Sequence, residues 1–490
     1  MIKQLLKLIL MTSSFAVFGQ QKMAMSLDDV IARARVNSVD AEVALGELRS
    51  AYWEYRTYRA DLLPEVNFAA TVPSYHKQYS TYMNDEGNYS FVRNNYLQID
   101  GQVSIDQKIW PTGGTLSLTS QLDFLRQLDG VKYNRFMSVP VALTLNQPVF
   151  GVNTVKWDRK IEPVRYSEAK AKFLSATEEV AMKAINYYFN LLMSRENLAI
   201  AEQNHENATR LYLVAKEKRA MGQISKNDLL QMELNLLNAQ SDLTECQSNL
   251  KSNMFTLRSF LDLGENVDIE PEVPSSVPNV DITFDDALNR ALANNKFSKN
   301  LRRRQLEAEY QVAKAKGDMR QISLFAQIGF TGTDHELSPS YSNLRGNQVV
   351  EIGIKIPLID WGKRRGAVKT AQSNQRVVES RLRQETMNFN QDLFILVERF
   401  NNQREQLKIA ERADTIATQR YLTNVETYLI GKISTLDLND SQVKKDESRQ
   451  QYVNELFRFW YYYYQLRSLT LWDYALGSGI EADIDRIVRE

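Results

Sequence analysis

Two hydrophobic periods run along this chain, each in long blocks. Leu229, Leu236, Leu243, Leu250 and Leu257 recur every seven residues, with Met232, Ala239 and Cys246 three positions after the first three. That is the seam of a coiled coil, and its 3.5-residue period predicts left-handed supercoiling. Cys246 reads there as a small core residue. Four stretches contain neither Gly nor Pro: Val164–Met221, Gln223–Leu263, Ala367–Ile430 and Lys432–Leu476. The longest, about 64 residues, would reach roughly 95 Å as one helix, far beyond the three or four turns usual in a globular domain. They form two pairs, each joined by a Gly-containing turn, so the pattern predicts two giant antiparallel hairpins.

Elsewhere the period is two. Val66, Phe68, Ala70 and Val72 alternate with Glu65, Asn67, Ala69 and Thr71, and similar runs lie at Leu97–Ile109, Leu116–Phe124 and Val139–Leu145. Two more follow at Leu324–Phe330 and Val350–Ile356. One apolar and one polar face fits either a half-buried sheet or the wall of a membrane barrel.

The blocks are duplicated. Arg195-Glu196-Asn197-Leu198-Ala199-Ile200-Ala201-Glu202 returns as Arg404-Glu405-Gln406-Leu407-Lys408-Ile409-Ala410-Glu411, and the same offset of 209 (404 − 195) carries Gly222, Ser225 and Asp228 onto Gly431, Ser434 and Asp437. Such a gapless match marks an internal repeat. A second match, Ser26-Leu27-Asp28-Asp29 with Thr283-Phe284-Asp285-Asp286, has an offset of 257, so the first copy carries 48 extra residues (257 − 209). These fall among the strands, four in the first copy and two in the second. Six strands are too few to close a barrel, for which about eight is the minimum, so a barrel requires several chains. The copies span 20–262 and 283–490. The Pro-rich segment 263–282 reads as a linker.

Composition narrows the function. Sixty basic and sixty acidic residues cancel, which argues against nucleic acid as a partner. One cysteine excludes an intrachain disulfide, and His76, His205 and His335 lie in no ligand spacing, so no metal or other cofactor is expected. No nucleophile or phosphate-loop signature points to an enzyme. Lys3 and Lys7, the apolar run Leu8–Phe18 and the small exit before Gln20 make residues 1–19 an expected export signal, which favours the membrane barrel over the soluble sheet.

The turns between the long helices share one grammar. Gly222 and Gly431 suit the left-handed cap, Ser225 and Ser434 cap the next helix, and Asp228 and Asp437 complete a capping box. Ile224 with Leu229, and Ile433 with Leu438, are placed as hydrophobic staples. Asp440 stands outside this scheme. Three residues after Asp437, it faces the same way, and repetition around an axis would make both into rings of acid that bind cations. Two solvated acids in a first helical turn are the simpler alternative.

The two Ser/Thr-x-Asp-Asp starts, Leu62-Leu63-Pro64, Gln147-Pro148-Val149-Phe150, Ile356-Pro357-Leu358-Ile359-Asp360-Trp361-Gly362-Lys363-Arg364-Arg365 and the duplicated turns together resemble the TolC-like family of outer-membrane efflux channels. The resemblance covers the chain after the signal. It implies an α+β membrane protein: helical hairpins forming an α-barrel that continues into a transmembrane β-barrel closed by homotrimerisation. It also implies an exit duct for tripartite efflux or type I secretion, seated in outer-membrane lipid. The helix tips would meet a periplasmic adaptor (membrane fusion) protein serving an inner-membrane RND, ABC or MFS transporter. The family's gate tyrosine falls on Tyr428 and its constricting aspartates on Asp437 and Asp440. Its gate arginine falls on Ile433, with Lys432 or Arg219 as substitutes. Arg219, Gly222, Ile224, Ser225, Asp228, Leu229, Gly431, Lys432, Ile433, Ser434 and Leu438 form the expected adaptor contact. The family's usual two-plus-two strands do not fit the extra 48 residues, which leaves either a wall wider than twelve strands or an ornamented rim. A periplasmic coiled-coil adaptor, or a structural protein without a pore, stands as the alternative.

Overall fold

The computed structural model describes residues 21–83, 87, 89–264, 266–319, 321–355, 359–429, 432–433 and 435–489. The expected export signal, the 356–358 part of the second-copy motif, Gly431 and Ser434 fall outside these residues, as does the side chain of Tyr428. Two compact units emerge, one of residues 50–168 with 299–385, the other of the remainder.

The first unit is built on a six-stranded antiparallel sheet whose spatial order follows the chain. Its strands are β2 (Glu65–Met83), β3 (Tyr89–Ile109), β4 (Gly114–Gln127), β5 (Asn134–Pro148), β7 (Gln321–Asp334) and β8 (Arg345–Lys355), with β1 (Gln21–Met25) and β6 (Val267–Pro271) lying in the other unit. All six period-two runs are strands, four from the first copy and two from the second. Register follows the pattern: Val66 faces Ile105, Ile105 faces Leu118, Leu118 faces Leu143, and Leu143 faces Ile328. That is one apolar row crossing five strands. The adjacent row joins Glu65, Asp106, Ser117 and Thr144 on the other face. There Ser117 donates to Asp106 at 2.5 Å and Thr71 to Asp100 at 3.1 Å. Bulges shift the register at Thr71/Ser74, Thr119/Gln121 and Ser138/Val141. Bulges bend a strand and raise its twist, as a curving wall requires. A short helix, α7 (Leu337–Ser342), lies between β7 and β8, and its Ser340 carbonyl accepts from Ser138 at 2.6 Å.

Each long helix joins this sheet through a few residues: α3 (Thr154–Ala220) follows β5 and α8 (Lys363–Leu429) follows β8. Asn153 caps α3 through the Lys156 amide at 2.9 Å and also donates to the Trp110 and Pro111 carbonyls of the β3–β4 turn. Helix α3 begins ten residues before the expected Val164 and runs through Pro163, and α8 includes Gly366. Proline inside a helix costs about 3 kcal/mol, so tertiary contacts override the local signal here. Helices α2 (Val39–Ala60) and α6 (Lys296–Gly317) lead into β2 and β7.

The second unit holds the distal parts of α3 and α8 with their partners α4 (Lys226–Phe260) and α9 (Thr435–Thr470), so both predicted hairpins form. Along α4 the seam residues Leu229, Met232, Leu236, Ala239, Leu243, Cys246 and Leu250 are half-buried among exposed neighbours, and Leu257 is fully buried. Burial, then Asp242 and Glu245, push the Cys246 thiol pKa up, as suits a packed core residue. Beyond the seam, Ile185, Tyr188, Phe400, Phe459 and Tyr463 fill a core shared by both copies. Short helices α1 (Leu27–Asn37) and α5 (Phe284–Asn294) begin on capped Ser26 and Thr283, the duplicated starts read from the sequence.

The segment 263–282 is more than a linker. Its strand β6 (Val267–Pro271) pairs in parallel with β1 (Gln21–Met25). Arg195 donates to Asp268 at 2.7 Å and to the Ile269 carbonyl at 2.8 Å; its repeat equivalent Arg404 donates to the Val280 carbonyl at 3.0 Å. The duplicated Arg-Glu-x-Leu motif therefore pins the inter-copy segment from both sides.

A buried ion network ties the copies together. Glu178, 1% exposed, accepts from Arg35 at 2.5 Å and Arg467 at 2.9 Å, and Arg467 also pairs with Asp473. Burial alone would raise the Asp473 pKa, but the Leu476 amide, the Tyr463 hydroxyl and Arg467 outweigh it and hold the carboxyl below its usual range. The chain ends in a two-residue ribbon, β9 (Trp472–Asp473) with β10 (Ser478–Gly479), and helix α10 (Ile484–Arg489), none of which the sequence pattern marked.

Candidate functional site at the hairpin tips

The first tip is a helix-capping machine. After α3, Gly222 takes φ 73°, the left-handed conformation in which a side chain would be strained. The Gly222 amide donates to the Arg219 carbonyl at 3.0 Å and the Gln223 amide to Lys218 at 2.9 Å, the paired bonds of a Schellman end. Arg219 then reaches the Ile224 carbonyl at 3.0 Å. Ser225 caps α4 by accepting from the Asp228 amide at 3.1 Å, while the Ser225 amide donates to the Asp228 carboxylate at 3.0 Å. Hydrogen bonds from the Ser225 side chain and then its backbone lower the Asp228 pKa. Ile224 and Leu229 are half-buried, as the staple requires.

The second tip repeats the scaffold. The Lys432 amide donates to the Thr427 carbonyl at 3.1 Å, the same bond 209 residues on. Lys432 is exposed; Ile433 and Leu438 are half-buried; Asp437 and Asp440 are exposed on the first turns of α9. Tyr428 lies in the last turn of α8.

Asp440 is not a solitary acid. Arg420 on α8 donates to its carboxylate at 2.8 Å, with both side chains about half exposed. The cation beside Asp440 is thus a residue about two and a half turns up the preceding helix, while Arg219 serves its own turn. Arg420 and Asp440 stand equidistant from position 430. An antiparallel hairpin brings such positions together, and that signal could have found the pair.

Further polar contacts step away from the tip. Lys445 sits 4.8 Å from the Tyr421 ring centroid. Arg449 bridges Asp414 on α8 at 3.5 Å and Glu196 on α3 at 3.0 Å. The Glu196 hydrogen bond raises the Arg449 pKa, so the guanidinium stays charged. Gln450 with Asn197 at 3.0 Å, and Gln442 with Asn204, continue the α3–α9 seam. The helices thus pack in the order α4, α3, α9, α8, and toward the tips the two hairpins meet through these polar groups. Unpartnered apolar stripes remain on the outermost helices: Leu230, Leu234 and Leu237 on α4, and Ile409, Ile416 and Leu422 on α8, all at least half exposed. The tips offer charge, shape and surfaces for other chains.

The sequence family described as outer membrane efflux protein matches this chain over residues 30–262 and 287–456. Comparison with curated protein sequences finds no match. Among solved structures, the CmeC outer membrane channel of Campylobacter jejuni is similar at TM-score 0.66 and 15% identity, over 94% of this chain and 88% of that one. The outer membrane protein VceC of Vibrio cholerae is similar at TM-score 0.63 and 15% identity, over 93% and 97%. A membrane protein from Pseudomonas aeruginosa is similar at TM-score 0.63 and 14% identity, over 94% and 92%.

Proposed function

Because this chain belongs to the outer membrane efflux protein family, we propose that three copies form one passive exit duct, its sheets a barrel in the outer membrane and its hairpins a periplasmic tunnel gated at the tips. The observation that carries this reading is the exposed apolar face of the sheet. Val66, Phe68, Val103, Ile105, Leu116, Leu118, Val141, Leu143, Ile328, Phe330, Val350 and Ile352 are 36–75% exposed. A continuous apolar surface of that size needs a cover, and the polar opposite face points to lipid outside and water within. Among the described residues no helix is long and apolar enough to span a bilayer. Exposed Trp110, Phe150 and Trp361 lie at one end of the strands, where an aromatic girdle belongs.

The apolar stripes on α4 and α8 support association through edge helices, each chain setting one against the next. The tips then dock a periplasmic adaptor, which links the duct to an RND, ABC or MFS transporter of the inner membrane. Asp437 and Asp440, with Tyr428, narrow the bore, and Arg420 holds Asp440 in place. A pore-less adaptor or rod would have no use for a two-faced sheet.

Fractionation tests this cheaply. A heat-resistant trimer extracted from outer membrane is expected, and Leu143→Arg on the lipid face should cost about 2–4 kcal/mol near the bilayer midplane and block assembly. A soluble monomer in the periplasm, indifferent to that change, would remove the proposal.

A further inference from the structure

We infer that the β2–β3 hairpin holds a phosphorylated glycolipid of the outer leaflet on its outward face, through Lys77, Arg93 and Arg126 with the rings of Tyr79 and Phe91. This rests on the exit-duct reading above, which puts the end of the sheet remote from the helices outside the cell. The lipid-facing row can be followed strand by strand. On β2 it runs through Val66, Phe68, Ala70 and Val72. The bulge between Thr71 and Ser74 then moves it to odd-numbered positions, since Ser74 faces Gln98 and Tyr75 faces Leu97. Leu97 is in series with Ile99, Val103 and Ile105 on β3, and it faces Arg126, in series with Leu118, Leu122 and Phe124 on β4. Tyr75, Leu97 and Arg126 therefore share the face that carries Val66, Ile105 and Leu118.

Height along the strands identifies what this face meets. A strand rises about 3.4 Å per residue, or ~2.6 Å along the barrel axis when tilted about 40°. Tyr75 stands about 22 Å above Val66, at the upper edge of an apolar band ~25 Å tall. Arg126 is level with it. Lys77 and Arg93 come one and two rows higher, where Lys77 faces Asn95 and Tyr79 faces Arg93. All three cations are exposed. The face turns from apolar to basic within one row, at headgroup level. Arg93 pairs with Asp129 of the β4–β5 loop at 2.9 Å. Lys77 and Arg126 have no carboxylate partner among the described residues.

The shape of the hairpin calls for a deep, sugar-bearing headgroup. Pairing between β3 and β4 ends at Tyr96 and Gln127, whereas β2 and β3 stay paired from Lys77 and Asn95 on to Met83 and Tyr89. A two-stranded ribbon alone is marginal in water. This one leaves Tyr79, Met83, Tyr89 and Phe91 56–75% exposed, all in the outward series. Its inward face is already satisfied: Ser74 bonds His76 at 2.5 Å, His76 stacks on Tyr96 at 4.8 Å, and Asn94 donates to Ser80 at 2.7 Å. Only the outward side lacks a cover. A phospholipid headgroup layer is about 5–8 Å deep, but the ribbon rises ~20 Å above Tyr75. A phosphorylated saccharide headgroup fills that depth. Its phosphates suit the cations, and the apolar faces of its sugars suit the Tyr79 and Phe91 rings.

The test uses the full chain in nanodiscs of neutral lipid, with fluorescent lipid A bearing phosphorylated core sugars as the probe. At about fivefold per cation, Lys77→Gln with Arg126→Gln should weaken binding roughly 25-fold. Phosphatidylglycerol, the other source of phosphate, should bind at least about tenfold more weakly than the glycolipid. Tyr79→Ala with Phe91→Ala should weaken the glycolipid alone, and Gln78→Lys on the inward face should change neither. Each variant should keep its heat-resistant trimer and its conductance, which separates this inference from the duct itself. Parent-level binding by the Lys77→Gln, Arg126→Gln variant overturns the inference and leaves the duct intact. So does phosphatidylglycerol binding as tightly as the glycolipid. So does Tyr79→Cys, in a Cys246→Ser background, crosslinking on whole cells to a protein in place of glycolipid. Absence of any trimer in the membrane overturns both readings.

Discussion

The two hairpin tips share a turn scaffold and differ in the charges set around it. Both end the descending helix with a Schellman bond, from Gln223 to Lys218 in one copy and from Lys432 to Thr427 in the other. The serine and aspartate that cap α4, Ser225 and Asp228, recur in sequence as Ser434 and Asp437. Where the second tip has Arg420 and Asp440, joined at 2.8 Å, the first has Leu211 and Gln231, which cannot form an ion pair. What is shared serves the turn. What is unshared serves something only the second hairpin does, and under the duct reading that is control of the bore.

This contrast can be broken most forcefully at the shared glycine. Gly222→Val places a β-branched side chain in the left-handed region, a strain of about 1–2 kcal/mol, and should abolish crosslinking of that tip to an adaptor. Gly431→Val should do the same to its own tip, and unequal effects would show that the scaffolds are not equivalent. Next comes a transplant. Arg420→Leu with Asp440→Gln writes the first tip into the second; exposed pairs are worth at most ~1 kcal/mol, so folding should barely change. Conductance in planar bilayers should rise severalfold and block by trivalent cations weaken. The reverse transplant, Leu211→Arg with Gln231→Asp, should leave conductance unaltered; an equal response from both would erase the distinction.

A smaller effect concerns pH. Asp228 has a lowered folded pKa, so its contribution to the first turn is present above the ordinary carboxylate range and is lost as pH falls through the lowered value. Amide exchange in residues 219–230, corrected for intrinsic rates, should therefore rise on acidification in the parent and be insensitive in Asp228→Asn. The smallest expected change is with salt. Raising ionic strength from 0.1 M to 1 M shortens the screening length from about 10 Å to about 3 Å and should reproduce part of the Arg420→Leu conductance increase. A first-tip Asp228→Asn variant should respond to salt as the parent does.

Local patterns made much of the molecule legible. Helix period, capping residues and turn glycines depend on neighbours within a few residues, so both hairpins and Asp228's role could be read from the chain. Strand alternation was equally plain, and the repeat offsets located the extra pair of strands. Contacts between distant segments were less accessible. Nothing local marks Arg420 as the partner of Asp440 until the hairpin register is known. Pro163 reads as a helix boundary, yet α3 runs through it because Asn153 and neighbouring helices anchor its start. The segment 263–282 reads as a spacer, yet Arg195 and Arg404 clamp it from helices far away in sequence.

The sequence by itself determined the periods, the caps, the duplication and the two-faced strands, since each follows from side-chain size, polarity and backbone freedom over short spans. Tertiary structure alone decided which charges meet and how the strands pair in register. Glu178 became a buried acid only once Arg35 and Arg467, from opposite ends of the chain, closed around it. Coulomb energy and desolvation depend on distances between segments, and those distances come into being only when the chain has folded.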